Sequence, residues 1–178
     1  MSGQAVIGVD QGKGGGIALL FGGYAEVIAM PMGPARKGGA DYDWSKILTV
    51  IRDHAAWAED QGCSINLFFE YAQSMPKAGC KANWWRGYSA GAWELLCATE
   101  AIPFQRVHPK TWHAALKASP DKKANVALAQ RLFPTVKLLA SERCHVPHDG
   151  MAEALLIGEY GRRQLAPTIA VPEQPVSS

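Results

Sequence analysis

The chain has no CxxC pair, no apolar run long enough to cross a bilayer, and no signal-like pattern at its N-terminus. Its four cysteines (Cys63, Cys80, Cys97 and Cys144) are scattered, which excludes a disulfide scaffold and reads as reduced thiols in a cytoplasmic protein. Cys144-His145 followed by His148 fits no common zinc spacing, so a structural zinc is not expected. Without a bilayer-length apolar stretch, no membrane partner is expected either. Charge is sparse: 19% of the 178 residues are charged and the formal net charge is +2. A hydrophobic share of 48% fits one ordinary globular domain with a substantial core, expected over residues 1–165. The Pro- and Ser-containing tail, 166–178, is expected to be disordered. There is no internal repeat. The cluster Gly14-Gly15-Gly16 lacks the Lys-Ser/Thr ending of a phosphate-binding loop, so no nucleotide cofactor is expected.

Short β-like runs at Ala5–Asp10, Gly16–Phe21 and Ala25–Met30 are separated by the Gly-rich turns Gly12–Gly15 and Gly22-Gly23, the pattern of an antiparallel meander. Pro31–Ala40 reads as a flexible connector carrying Arg36 and Lys37. Asp43 is placed to cap a helix that runs to about Gln61 and stops at Gly62, with Trp44, Ile47, Leu48, Ile51, Ala55 and Ala58 at helical spacing. Ser64–Glu70 is a strand and Tyr71–Gly79 a loop. A second helix covers about Lys81–Thr99, and a short strand Pro103–Val107 follows. Three helical segments complete the chain, Pro109–Leu116, Lys122–Phe133 and Asp149–Leu165. Hairpin strands followed by βα units imply one α/β sheet with helices packed on it.

Three of these elements carry an acid where an apolar segment ends or begins. Asp10 closes Ala5-Val6-Ile7-Gly8-Val9, Glu70 closes Ile65–Phe69, and Asp149 with Glu153 opens the last helix. Burying an unpaired carboxylate costs several kcal/mol. Several of them on separate elements suggest that a hard divalent cation such as Mg²⁺ offsets the cost. The plainer alternative is that each acid is a strand-end or capping residue facing water. Asp149 and Glu153 lie four residues apart, so one helix face can present both.

Basic residues collect in the second half. From Ala101 to Ser141 stand Arg106, Lys110, Lys117, Lys122, Lys123, Arg131 and Lys137, opposed only by Asp121. Between Glu70 and Glu94, Lys77, Lys81 and Arg86 interleave with Tyr71, Trp84, Trp85 and Tyr88. Cations beside aromatics suit phosphate contact with base stacking, although a solvated helix face with core aromatics would look the same.

The ordered motifs Ile7-Gly8-Val9-Asp10-Gln11-Gly12, Phe69-Glu70-Tyr71-Ala72-Gln73-Ser74-Met75-Pro76-Lys77 and His148-Asp149-Gly150-Met151-Ala152-Glu153-Ala154-Leu155-Leu156 resemble the RuvC-type Holliday junction resolvases, closest to their phage-like branch. The stretch Ile102–Trp112 is similar to the same family, and the resemblance spans about residues 5–165. It implies an RNase H-like fold with a mixed five-stranded sheet, three antiparallel hairpin strands plus two parallel ones. It also implies a homodimer that nicks four-way DNA junctions symmetrically with Mg²⁺, Mn²⁺ being able to substitute. By position, Asp10, Glu70 and Glu153 match the family's metal ligands, and Lys110 and Lys123 fall where it carries basic residues near the scissile strand. The chain departs from the pattern at Asp149 and Glu153, which are four residues apart where better-known members have three. Which of the two binds metal directly therefore stays open.

Two-metal phosphodiester hydrolysis would have Asp10 bridge both ions, Glu70 hold one, and Asp149 with Glu153 hold the other. Lys110 or Lys123 would place the phosphate. Tyr71, Lys77, Lys81, Trp84, Trp85, Arg86, Lys110, Lys122 and Lys123 are the expected DNA contacts. The same acids would serve an RNase H-like nuclease acting on other branched DNA or on RNA-containing substrates.

Overall fold

Gln4–Asp10 forms β1, and all five positions from Ala5 to Val9 are buried, the mark of a strand covered on both faces. In the computed structural model, which describes residues 3–35 and 39–165, this strand is the centre of the molecule. It pairs antiparallel with β2 (Gly16–Phe21), which pairs with β3 (Tyr24–Ala29). Gly22, at φ +54°, makes the tight β2–β3 turn in a backbone region that favours glycine. Next come a small hairpin, β4 (Met32–Pro34) with β5 (Ala40–Tyr42), and then helix α1 (Trp44–Asp60). On its other edge β1 pairs parallel with β6 (Ser64–Glu70). Helix α2 (Cys80–Thr99) then leads to β7 (Phe104–Val107), parallel to β6. The sheet order is β3-β2-β1-β6-β7, the mixed RNase H-like arrangement expected, followed by α3 (Pro109–Leu116), α4 (Lys122–Leu132) and α5 (Asp149–Leu165).

Alternation along the strands divides the core in two. Val6, Ala18, Leu20 and Phe68 face α3, α4 and α5. Ile7, Val9, Ile17, Leu67 and Phe69 face α1 and α2. Helix α1 starts where expected, with the Asp43 carboxylate accepting from the Lys46 N–H at 3.0 Å, and ends before Gly62 at φ +65°.

Two close approaches fix α5 against the centre of the sheet. A Cβ on Gly8 would come 2.2 Å from the Ala154 carbonyl oxygen, and one on Gly150 would come 2.0 Å from that of Gly14. Backbone therefore meets backbone at both places, and the first turn of α5 lies on the β1–β2 turn.

Several segments depart from the expected bounds. Pro31–Ala40 is not wholly an open connector, because Met32–Pro34 and Ala40–Tyr42 pair as a hairpin. Alternation there is too short to register. Arg36 and Lys37 lie outside the described residues, as does the tail 166–178. Strand β3 begins at Tyr24, since Tyr24 pairs with Phe21 across the turn. Helix α2 begins at Cys80 and α4 ends at Leu132.

Candidate active site

The ends of β1 and β6 lie side by side because the two strands are parallel and in register from Gln4↔Ser64 to Val9↔Phe69. Asp10 and Glu70 are each the last residue of their strand. The first turn of α5 brings Asp149 and Glu153 over the same edge. Asp10, Glu70 and Glu153 are close enough for each to feel the others' charge.

Burial, above all, pushes the Asp10 carboxyl up to about 7, with Glu153 and Glu70 adding repulsion and the Gly12 N–H and Lys122 opposing it. Glu70 is raised chiefly by burial, partly offset by the indole N–H of Trp112, which donates to its Oε1 at 2.8 Å. Burial also raises Glu153, against the Asn125 amide 3.4 Å from its Oε1 and against Lys122. Asp149 goes the other way: the Lys122 ammonium pairs with it directly and holds it below the usual carboxylate range.

Among the described residues no three His, Cys, Asp or Glu side chains are gathered tightly enough to hold a metal ion as they stand. The donor set nevertheless fits one. It is made wholly of carboxylate oxygens, the choice of a hard divalent cation. Asp10, Glu70 and Glu153 are all displaced in the direction of acids that lack a counter-charge. Lys122 supplies part of that charge, on the Asp149 side.

The other expected residues distribute unevenly. Tyr71 is exposed, with the Arg106 guanidinium 5.5 Å from its ring centroid. Trp84, 58% exposed, stacks on Tyr88 with centroids 5.2 Å apart. Trp85 is half-buried instead and carries the Lys13 ammonium 3.4 Å from its ring centroid. Lys77, Lys81, Arg86, Lys110 and Lys123 are exposed. Lys122 belongs to the acidic cluster, whereas Lys123 contributes its backbone N–H to the Asp121 cap of α4.

Residues the sequence reading passed over hold this arrangement together. Gln11 donates its Nε2 to the Glu70 carbonyl oxygen at 2.9 Å, tying β1 to β6 beyond their last paired residues. Its own carbonyl accepts from Tyr42 at 2.9 Å and Ser89 at 2.8 Å. Trp112 anchors Glu70 and Asn125 supports Glu153. Only proximity marked them: Gln11 follows Asp10, and Trp112 closes the family-like stretch Ile102–Trp112. A cavity of about 330 Å³ opens beside the acids and is lined by Asp10, Gln11, Glu70, Trp85, Arg86 and Ser89, among others.

No protein-family model matches the chain, and no curated protein matches it either. Solved structures do. RuvC of Thermus thermophilus in complex with a Holliday junction substrate superposes with TM-score 0.50 at 12% identity, over 90% of this chain and 96% of that one. The fold is RuvC-like. A second Thermus thermophilus RuvC structure gives TM-score 0.44 at 13% identity over the same shares. No helix among the described residues is long and apolar enough to cross a membrane.

Proposed function

We propose that the protein is a Mg²⁺-dependent, structure-specific DNA endonuclease that resolves four-way junctions by paired nicks, a RuvC-type resolvase of the phage-like branch. The observation that carries this reading is the convergence of Asp10, Glu70 and Glu153, from a central strand, its parallel neighbour and the last helix, on one strand-end edge. The three ordered motifs around those acids and the fold shared with a junction-binding RuvC support it independently.

Asp10, Glu70, Asp149 and Glu153 would hold two Mg²⁺ ions, with Mn²⁺ able to replace them. When bound, such ions activate water and offset charge on the phosphate and the leaving oxygen. The chain's own residues do the remaining work. Trp112 and Asn125 fix the orientation of Glu70 and Glu153, so less ordering is required when the site loads. Lys122 pairs with Asp149, and with a divalent cation on Asp149 its ammonium would be free to serve a phosphate oxygen. Lys110, at the start of α3, and Lys123, beside Lys122 on α4, extend the phosphate-binding surface. Lys77, in the loop before α2, and Lys81, Trp84 and Arg86 on α2 approach the junction centre, where unpaired base faces offer stacking partners.

A two-fold junction calls for two sites related by a two-fold axis, hence a homodimer. Support for an α2 interface is the open side of that helix. Leu95 is 68% exposed, and a Cβ on Gly91 would meet nothing within 4 Å.

A panel of four-way junction, flap, linear duplex and RNA–DNA hybrid, each with and without Mg²⁺, tests the reading. Junction-selective, Mg²⁺-dependent cleavage is expected. Preference for the flap or the hybrid would favour an RNase H-like nuclease of other specificity.

A further inference from the structure

Strand β3 leaves its outer edge unpaired. It ends the sheet, with β2 on one side and no strand on the other among the described residues. The Met30 N–H bonds the Gly15 carbonyl oxygen at 3.0 Å, which sets the alternation along the pair. Tyr24, Glu26 and Ile28 turn their backbone groups to β2, so Ala25, Val27 and Ala29 turn theirs outward. Edges of this kind are normally blunted by lysine, proline or a bulge. The strand Tyr24-Ala25-Glu26-Val27-Ile28-Ala29 has no lysine or proline, and its residues pair one to one with those of β2 throughout.

A groove of about 400 Å³ runs beside that edge, between β3 and α1. Tyr24, Glu26 and Ile28 form one wall, on the side of the sheet that faces α1. Val50, Asp53, His54 and Trp57 form the other, on one stripe of the helix. Val27 also lines the groove although it packs against the opposite core, so the opening reaches the strand's edge. The charge here is negative. The Glu26 carboxylate accepts from the Tyr24 hydroxyl at 2.7 Å and lies 3.4 Å from the His54 Nδ1. Burial, above all, holds His54 below its ordinary range, against the pull of Glu26 and Asp53, so the imidazole offsets little of their charge. Among the described residues no Lys or Arg pairs with Glu26 or Asp53. Tyr24 and Trp57 stack at the same place, with centroids 5.7 Å apart, and offer aromatic surface to a planar cation.

We propose that this edge and groove bind an extended segment of a partner protein, which adds one strand to the sheet and directs an arginine into the groove. Backbone bonds to Ala25 and Val27 supply affinity, and the groove selects the side chain. The guanidinium meets the unpaired carboxylates of Glu26 and Asp53 and lies against the aromatic pair. A second copy of this chain fits poorly, because two β3 strands side by side bring Glu26 towards Glu26, and like charges across a ladder are destabilising. DNA is disfavoured by the same two acids. None of these residues belongs to the candidate active site, so the inference stands apart from the nuclease reading.

The test titrates the full, isotope-labelled chain with synthetic pools of short peptides and reads it by NMR. Each pool alternates threonine with mixed apolar residues and differs only at a central position, held as arginine, lysine, leucine or glutamate. The arginine pool should slow amide exchange at Ala25 and Val27 and shift the Trp57 indole signal. The glutamate pool should change neither. The leucine pool should need about tenfold more peptide, the scale of one charge-assisted hydrogen bond, with lysine between. Asp53→Asn, at an exposed position where folding is not at stake, should narrow the preference for arginine several-fold. Ala25→Pro deletes an outward N–H, a change that edge strands tolerate, and should abolish the protection at Val27. If that variant folds poorly, Asp53→Asn and the comparison of pools still decide. Arginine and glutamate pools that act alike, or a response confined to residues away from β3, overturn the inference. Concentration-dependent protection of the same amides without peptide gives the edge to a second copy of the chain and overturns it as well.

Discussion

Trp112 and Glu70 are joined by an indole N–H that reaches the carboxylate Oε1 at 2.8 Å, so the first helix after β7 holds the acid at the end of β6. Trp112 is fully buried. Trp112→Phe keeps most of the packing and deletes the donor. Hydrogen bonds to charged groups contribute about 1.5–3 kcal/mol, so Mg²⁺ affinity should fall by roughly one order of magnitude, with a modest loss of thermal stability. Titration calorimetry with Mg²⁺ or Mn²⁺ reads the first, and unchanged metal affinity would remove Trp112 from the site's support.

The displaced acids make stability depend on pH in a specific direction. With Asp10 raised to about 7, the metal-free folded state keeps a proton that the unfolded chain has already released. Wherever the folded state binds more protons, stability falls as pH rises. Glu70 and Glu153 act in the same sense, and Asp149, lowered by Lys122, acts in the opposite one at lower pH. The metal-free protein should therefore lose thermal stability from the ordinary carboxylate range up to about pH 7, and saturating Mg²⁺ should flatten the decline. Melting curves over that range decide it. A metal-free stability that climbs through the same window would contradict the electrostatic picture.

Lys122 competes with metal for Asp149. Lys122→Met should raise divalent-cation affinity several-fold in the absence of DNA, because the resident cation is gone. Cleavage should drop all the same, since a phosphate contact is lost. Weaker metal binding in this variant would show that Lys122 organises the acids rather than screening them.

The two neighbouring tryptophans should behave differently although the sequence presents them as a pair. Trp84 is exposed and stacked on Tyr88, while Trp85 packs beneath Lys13 against the α1–α2 core. Trp84→Ala should fold normally and lose junction affinity by the equivalent of about 1–3 kcal/mol, one base stack. Trp85→Ala should lower the melting temperature. Equal melting losses in both variants would mean that Trp84 is structural.

Alternation and turn chemistry made the sheet readable. Ala5–Val9 and Ser64–Glu70 declared two strands, and the glycine turns declared the meander. The acids were visible because carboxylates interrupt apolar runs. What stayed hidden was tertiary. Lys122 and Lys123 are equivalent in sequence, and only the packing of α4 on α5 gives one of them to Asp149. Gln11, Trp112 and Asn125 act through contacts spanning 59, 42 and 28 residues, which no local pattern encodes. The β4–β5 hairpin is three residues a side, too short for a period to show.

The central claim is that Asp10 and its neighbours cut junction DNA, and strand-by-strand cleavage mapping tests it most directly. On a four-way junction labelled on each strand in turn, the protein with Mg²⁺ is expected to nick two opposed strands at symmetry-related phosphates. Asp10→Asn should bind the same junction with near-unchanged affinity and leave every strand intact. Undiminished cutting by Asp10→Asn, or no junction cleavage by the unaltered protein in Mg²⁺, would contradict the account.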